Sequence, residues 1–257
     1  MPDFFFLLAG AAFLAGLVDA VVGGGGLIQI PVLFSAFPNM VPATLLGTSK
    51  LAGIFGTAAA AVNYARRVPI AWGTATPAAC AAFVLSFAGA YTVTKVPADF
   101  MRTLLPFVLV CVAVYTFRKK DFGASHAPRH FGSREKMIAL AIGGCIGFYD
   151  GFFGPGTGSF LVFLFVRFFG FDFLGASATA KVVNVACNFS ALMWFGYSGH
   201  LLWQLGLLMA VCQVAGSLVG TKLAIKHGSS FVRKLFLIVV LLLIVKTSWD
   251  AFIRWQV

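Results

Sequence analysis

Residues 16–50 read GLVDAVVGGGGLIQIPVLFSAFPNMVPATLLGTSK, and the fold turns on how they are read. An apolar run carries Asp19 near its end and breaks four positions later in Gly23-Gly24-Gly25-Gly26. A short apolar run follows, residues 27–37, then a proline-bounded link at residues 38–42, then a third run with Lys50 inside it. A helix needs about 20 apolar residues to cross a bilayer. The first and third runs have that length and the glycine-separated run between them does not.

Working outward, the same order recurs. Residues 147–165 read GFYDGFFGPGTGSFLVFLF and residues 170–188 read GFDFLGASATAKVVNVACN. Adding 131 to a residue number carries Asp19 onto Asp150, Gly23 onto Gly154, Gly25 onto Gly156, Thr48 onto Thr179 and Lys50 onto Lys181, without a gap. The same shift carries Trp72 onto Trp203, Gly89 onto Gly220, Lys95 onto Lys226 and Arg102 onto Arg233. Rare residue types make the match, since apolar identities are common in so biased a chain. Internal duplication of this kind is typical of secondary transporters.

Composition agrees. Hydrophobic residues make up 60 % of the 257, and charged residues 11 %, against roughly 25 % in soluble domains; mean hydropathy is +0.94. So few charges could not cover so apolar an interior in water. Soluble enzymes, disordered tails and nucleic-acid modules are excluded. The net charge of +11 forms no basic stripe and fits the Lys and Arg excess of cytoplasmic loops. The lipid bilayer is the expected surrounding and nucleic acid is not an expected partner. The N-terminal MPDFFFLLAG lacks the basic segment of a secretory signal, so the first run is expected to be retained.

The expected architecture is all-α: a polytopic integral membrane protein of about eight to ten hydrophobic helical segments. They form two inverted structural repeats with glycine-broken helices. The runs are 4–22, 27–37, 43–64, 71–93 and 101–117, then 137–153, 159–171, 176–197, 201–223 and 232–252. Residues 1–117 are the first repeat, 118–136 a basic cytoplasmic linker and 137–257 the second repeat. Charge sets the relative orientation. If each half crosses an odd number of times, Arg66, Arg67, the linker and Lys222, Lys226, Arg233 and Lys234 share one side. The opposite side then holds only charge-poor links, as the positive-inside rule asks. With an even number of crossings the basic groups at 222–234 lie opposite the linker.

Three features bear on chemistry. A broken helix exposes backbone N–H and C=O groups, tolerable only where protein or water lines the gap. The start of the short helix after the break offers unpaired N–H groups and a positive dipole end, which suits an anion. Gly24, Gly25, Gly26 and Leu27, with Gly156, Thr157, Gly158 and Ser159, are the expected donors; plain tight turns and close helix packing are the alternative. Lys50 and Lys181 lie deep in apolar runs, where a lysine costs about 2.5–3.5 kcal/mol on insertion scales. A cation there helps to hold an anion, or the lysine snorkels to an interface or pairs with Asp19 or Asp150 as glue. Thr48, Ser49, Thr179, Asn184 and Asn188 add neutral hydrogen-bonding groups. Asp19 and Asp150 are proton-coupling candidates, with capping or charge compensation equally open.

Other residues read more plainly. Gln29, Asn63, Gln204 and Gln213 are polar residues in apolar runs that could line the path, though no spacing singles them out. Cys80, Cys111, Cys145, Cys187 and Cys212 read as small buried hydrophobes. His126, His130, His200 and His227 fall near or outside span ends, none with metal-ligand spacing, so no metal and no cofactor is expected. Neither GGGGL nor GPGTGS is a phosphate loop, which needs GxxxxGK[ST] between strand and helix. Tyr149-Asp150 with Asp19 resembles the paired aspartates of intramembrane aspartyl proteases, but their Gly-x-Gly-Asp partner is missing; an enzyme is not expected.

These two glycine-broken blocks resemble the sulfite exporter TauE/SafE family, with family blocks on residues 23–26, Pro31, Pro42, 47–50, 154–158 and 176–181. The resemblance implies a bacterial or archaeal inner-membrane carrier of small anions, among them sulfite and sulfonates, usually exported. The expectation is a carrier working by alternating access on a small anionic substrate. A passive anion channel is the alternative.

Overall fold

The computed structural model describes residues 2–98, 100–101, 104 and 132–255. The predicted run 101–117 and most of the basic linker, with Cys111, His126 and His130, lie outside the described residues. The described elements are all helical. In chain order they are α1 (Pro2–Val22), α2 (Gly25–Ala36), α3 (Pro42–Ala65), α4 (Trp72–Val93), α5 (Ser133–Phe152), α6 (Thr157–Leu164), α7 (Phe173–Tyr197) and α8 (Trp203–Trp255). A π-helical turn, Phe165–Phe169, extends α6.

Local chemistry explains the boundaries. Pro42 opens α3 in the first helical turn, where its missing N–H costs nothing. Asp172 caps α7 by accepting from the N–H of Gly175. The breaks after α1 and α5 sit at glycines in the left-handed region: Gly23 at φ 77°, Gly154 at 91° and Gly156 at 80°. The runs 201–223 and 232–252 fall on either side of Gly228, whose φ of 69° and ψ of −167° are not helical, so α8 is two helices meeting at a kink. The polar residues between the runs continue the helices to either side of that glycine.

Among the described residues, three helices are long and apolar enough to cross a membrane: Pro42–Ala65, Trp72–Val93 and Trp203–Gly228. The twelve-residue α2 rises about 18 Å, well short of a hydrocarbon core. Large apolar side chains face outward around the bundle, among them Leu14, Phe55, Val84, Met137, Phe189 and Val211. The expectation that the cysteines are buried fails at Cys80 and Cys145, which are exposed; Cys187 is buried and Cys212 half-buried. An apolar side chain in a membrane protein is solvated by lipid as well as by protein, so an apolar run does not by itself mark an inward face. Trp72 and Trp203 are likewise exposed.

The main helix packing runs between the halves: α4 on α5, α1 on α8, α3 on α8 and α4 on α7. These contacts come in exchanged pairs. A Cβ on Gly16 would lie 2.1 Å from the carbonyl oxygen of Gln213, and one on Gly147 2.5 Å from Cα of Ala82. These are the same contact with the halves swapped. Gly89 on Phe148 O and Gly220 on Leu17 O, at 2.3 and 2.4 Å, form another such pair. Ser86 Oγ donates to Cys187 O (2.9 Å) and Ser217 Oγ to Gly56 O (2.6 Å), a third. Small residues let helix backbones touch where no hydrophobic force draws helices out of lipid.

Candidate functional site

The site begins where α1 stops. A helix leaves its last four carbonyls without intrahelical partners, and away from water each must be satisfied from elsewhere. Here every one is. Lys181 Nζ donates to Asp19 O, and Tyr64 Oη to Ala20 O at 2.9 Å. Ser177 Oγ donates to Val21 O at 3.3 Å, and Ser159 Oγ to Val22 O at 2.9 Å. The next carbonyl, Gly23 O, accepts from the Ser159 N–H at 3.1 Å. Four of these five bonds come from α6 and α7, so the broken end of a first-half helix is sealed by the second half. Gly23 makes this possible twice over. Its φ is positive, and a Cβ there would sit 2.3 Å from the backbone carbon of Gly158.

The sealing uses some of the expected donors. The Leu27 N–H goes to Gly24 O (3.0 Å), the Thr157 N–H to Gly154 O (3.3 Å) and the Ser159 N–H to Gly23 O. Of the expected donors, the N–H groups of Gly24, Gly25, Gly26, Gly156 and Gly158 take no part in these bonds. Gly25 also serves packing, since a Cβ there would meet Asp19 Cβ at 2.7 Å.

Four charged side chains are buried among the described residues, and they form two ion pairs, each joining the halves. Lys50 on α3 pairs with Asp150 on α5, and Lys181 on α7 with Asp19 on α1 at 2.8 Å. All four are buried, Lys181 to 2 % exposure and Asp150 to 1 %. Neither lysine snorkels. Thr57 Oγ1 donates a further bond to Asp19 Oδ2 at 3.0 Å. Removing one partner of such a pair strands a charge in a dry interior and costs about 3–5 kcal/mol.

Between the pairs lies a cavity of about 40 Å³, enough for water. Of the residues expected to bind substrate, Gly26, Ser49, Lys50, Thr157, Gly158, Asn184 and Asn188 line it, together with Asp19 and Asp150. Gly24, Gly25, Thr48, Gly156, Thr179 and Lys181 are not in its lining. Lys181 is turned to the carboxylate and backbone carbonyl of Asp19. Thr48 Oγ1 accepts from the Leu202 N–H at 3.0 Å, and Thr179 Oγ1 from the Ala71 N–H at 3.4 Å. That is again one contact exchanged between halves, and it anchors the entries to α8 and α4.

The lining also holds Gly23, Gln29, Ile30, Gly53, Thr57, Gly154 and Gln213, which were not singled out as binding residues. A signal existed for four of them, Gly23 and Gly154 being already matched by the repeat. The 131-residue shift carries Gly53 onto Asn184 and Thr57 onto Asn188, so the counterparts of the two asparagines were findable. No repeat signal marks Gln29 or Gln213. Asn63 donates to Ala59 O within its own helix, and Gln204 lies in an apolar groove away from the cavity. His200 bonds Thr44 Oγ1 at 3.1 Å, and His227 is exposed. No group of His, Cys, Asp and Glu among the described residues could hold a metal ion.

This geometry can hold a small polar or anionic species against a buried ammonium, amides and helix starts. Comparison with known proteins bears on which species it serves. The family model described as "Sulfite exporter TauE/SafE" matches residues 8–247. A probable membrane transporter protein from Sinorhizobium sp (ORF9) is 38 % identical over 240 residues, 93 % of this chain and 90 % of that one. The Escherichia coli K12 probable membrane transporter protein YfcA is 35 % identical, over 93 % and 88 %. A probable membrane transporter protein from Haemophilus influenzae is 29 % identical, over 96 % of each chain. No solved structure matches.

Proposed function

The chain belongs to the sulfite exporter TauE/SafE family and is a membrane transporter, and from that premise we propose that it is a secondary carrier which exports small oxyanions of sulfur, sulfite or sulfonates, across a bacterial inner membrane. The observation behind this reading is the pair of cross-half ion pairs, Lys50–Asp150 and Lys181–Asp19, bracketing a cavity at both helix breaks. Contacts exchanged between residues 1–117 and 137–257 favour two equivalent repeats. The lysine and arginine distribution favours their opposite orientation in the bilayer. Rocking of the halves about the cavity then gives alternating access. The organisms of the relatives support the bacterial setting, and the family description supports the substrate class.

The charges supply the mechanism. Two ammonium and two carboxylate groups leave the site neutral, so an anion entering alone buries a net negative charge in a medium of low dielectric. An anion that displaces Asp150 from Lys50 does so at least cost when Asp150 takes up a proton. The carboxylates are thus the coupling groups, and anion and proton move together, so export follows the outward gradient of the anion itself. A site whose ion pairs must open to admit a ligand favours a carrier over a passive channel. No chemistry on the substrate is required, and no enzymatic step is invoked.

The test is sulfite flux in proteoliposomes. Wild-type protein should give saturable uptake, counter-flow, and acceleration by an inwardly directed proton gradient. Lys50→Met should cut the flux by tenfold or more, on the order expected for loss of a charged partner worth about 1.5–3 kcal/mol. Undiminished flux in that variant rejects the role of Lys50. Flux that never saturates and shows no counter-flow identifies a channel, and indifference to the proton gradient removes the coupling.

A further inference from the structure

Gln29 and Gln213 are buried to 1 % and 2 % exposure and line the same cavity from α2 and α8. The buried Nε2 of Gln29 and Oε1 of Gln213 have no hydrogen-bond partner. A buried amide without a partner is costly, and an apolar side chain of like size would be tolerated as well or better. Something must offset keeping two of them at one cavity. The rest of the lining gives the reason: its charged groups are already committed to one another, whereas these amides are not.

Their place in the repeat sharpens the point. The 131-residue shift carries Gln29 onto Phe160, and Gln213 is the counterpart of Ala82. The ion pairs, the glycine breaks and Thr57 with Asn188 all have counterparts on or near the cavity, but both glutamines replace apolar residues. They break the symmetry of a site that the two halves otherwise share. Room has been made for one of them. Gly56 lies against Gln213, and a Cβ there would come within 2.8 Å of Gln213 Cγ; the counterpart of Gly56 is Cys187, where the counterpart of Gln213 is the smaller Ala82.

We infer that Gln29 and Gln213 are the specificity-determining residues of the cavity, gripping an oxyanion by neutral hydrogen bonds and fixing its orientation off the internal two-fold. This rests on the anion-carrier reading above. An amide presents both N–H and C=O, so the pair suits a ligand that accepts and donates at once. It discriminates oxyanions by shape and by the number of protons they carry. The ion pairs supply the charge and make no such distinction. A ligand held by two one-sided groups meets the two faces of the membrane differently, so a symmetric scaffold gains a directional site.

The test uses purified full-length protein with sulfite, methanesulfonate and sulfate as probes, followed by equilibrium binding and thermal melting. Gln29→Met and Gln213→Met keep length and remove the amide; Gln204→Met is the control outside the cavity. Each cavity variant should weaken its best probe about three- to tenfold and alter the order of the three, while melting no lower than wild type. Gln204→Met should leave affinity and order alone. Unchanged affinities and order in both cavity variants overturn the inference. Were wild-type protein to bind none of the probes, the anion reading would fall, and melting alone would decide the amides. Met variants that melt higher mark amides kept for a ligand. Variants that melt lower, or fail to fold, mark structural amides and overturn the inference.

Discussion

The two ion pairs are the same residues by sequence and different devices in space. Lys181 holds both the carboxylate and the backbone carbonyl of Asp19, Thr57 braces that carboxylate from α3, and the lysine is absent from the cavity wall. Lys50 bonds Asp150, lines the cavity, and lies where a Cβ on Gly154 would come 3.1 Å from its Nζ. One pair is built into the seal on the end of α1, and the other faces the space where a ligand would sit. Duplication copies residues, but packing then assigns them different work.

Removing each lysine should expose that difference most strongly. Lys181→Met strands the carboxylate of buried Asp19, whose backbone carbonyl keeps the Gly23 N–H. It should destabilise the protein by about 3–5 kcal/mol, seen as a lower melting temperature and poor yield. Pairing it with Asp19→Leu should recover most of that loss, since a buried pair can be exchanged for apolar groups at little cost. Lys50→Met should melt nearer to wild type than Lys181→Met while losing flux. Equal melting of the two single variants would remove the distinction between brace and binding group.

The glycine cluster contains a second contrast, of intermediate size. Gly23 has a positive φ and touches the backbone of Gly158, whereas Gly24, at φ −105°, has nothing nearer than 3.4 Å to a new Cβ. Gly23→Ala should cost about 1–3 kcal/mol for backbone strain alone, with more for the clash. Gly24→Ala should be within about 1 kcal/mol of wild type. Comparable melting temperatures would show that the halves do not meet at Gly23.

How much of this was legible from the sequence depends on what repetition can reveal. Apolar runs bounded the helices to within a few residues, because helix length and polarity are local properties. The breaks were visible because a block of glycines inside an apolar run has few other uses. Which aspartate each lysine takes was not legible. Lys50 and Asp150 are brought together only when α3 and α5 pack, and a shift that aligns the halves cannot say that they exchange partners. Gln29 and Gln213 were visible as polar residues in apolar runs, but nothing ranked them above Asn63 and Gln204: a search for repeated residues passes over those that break the repeat. Thr48 and Thr179 err the other way. They repeat faithfully, and what they repeat is a helix anchor.

That last point yields the smallest expected effect and a clean separation of roles. Thr48 Oγ1 takes the Leu202 N–H at 3.0 Å, and Thr179 Oγ1 takes the Ala71 N–H at 3.4 Å. Valine in place of either keeps the shape and removes the acceptor, leaving one N–H at a helix entry without its partner. A net hydrogen bond of this kind is worth about 0.5–1.5 kcal/mol. Thr48→Val should lie toward the top of that range and Thr179→Val toward the bottom, because the longer bond is the weaker. Neither hydroxyl reaches the cavity, so sulfite affinity and flux should be retained in both. Should either valine variant melt like wild type yet transport poorly, the hydroxyl belongs to the substrate path after all, and the cavity must extend toward the entries of α4 and α8 during the transport cycle.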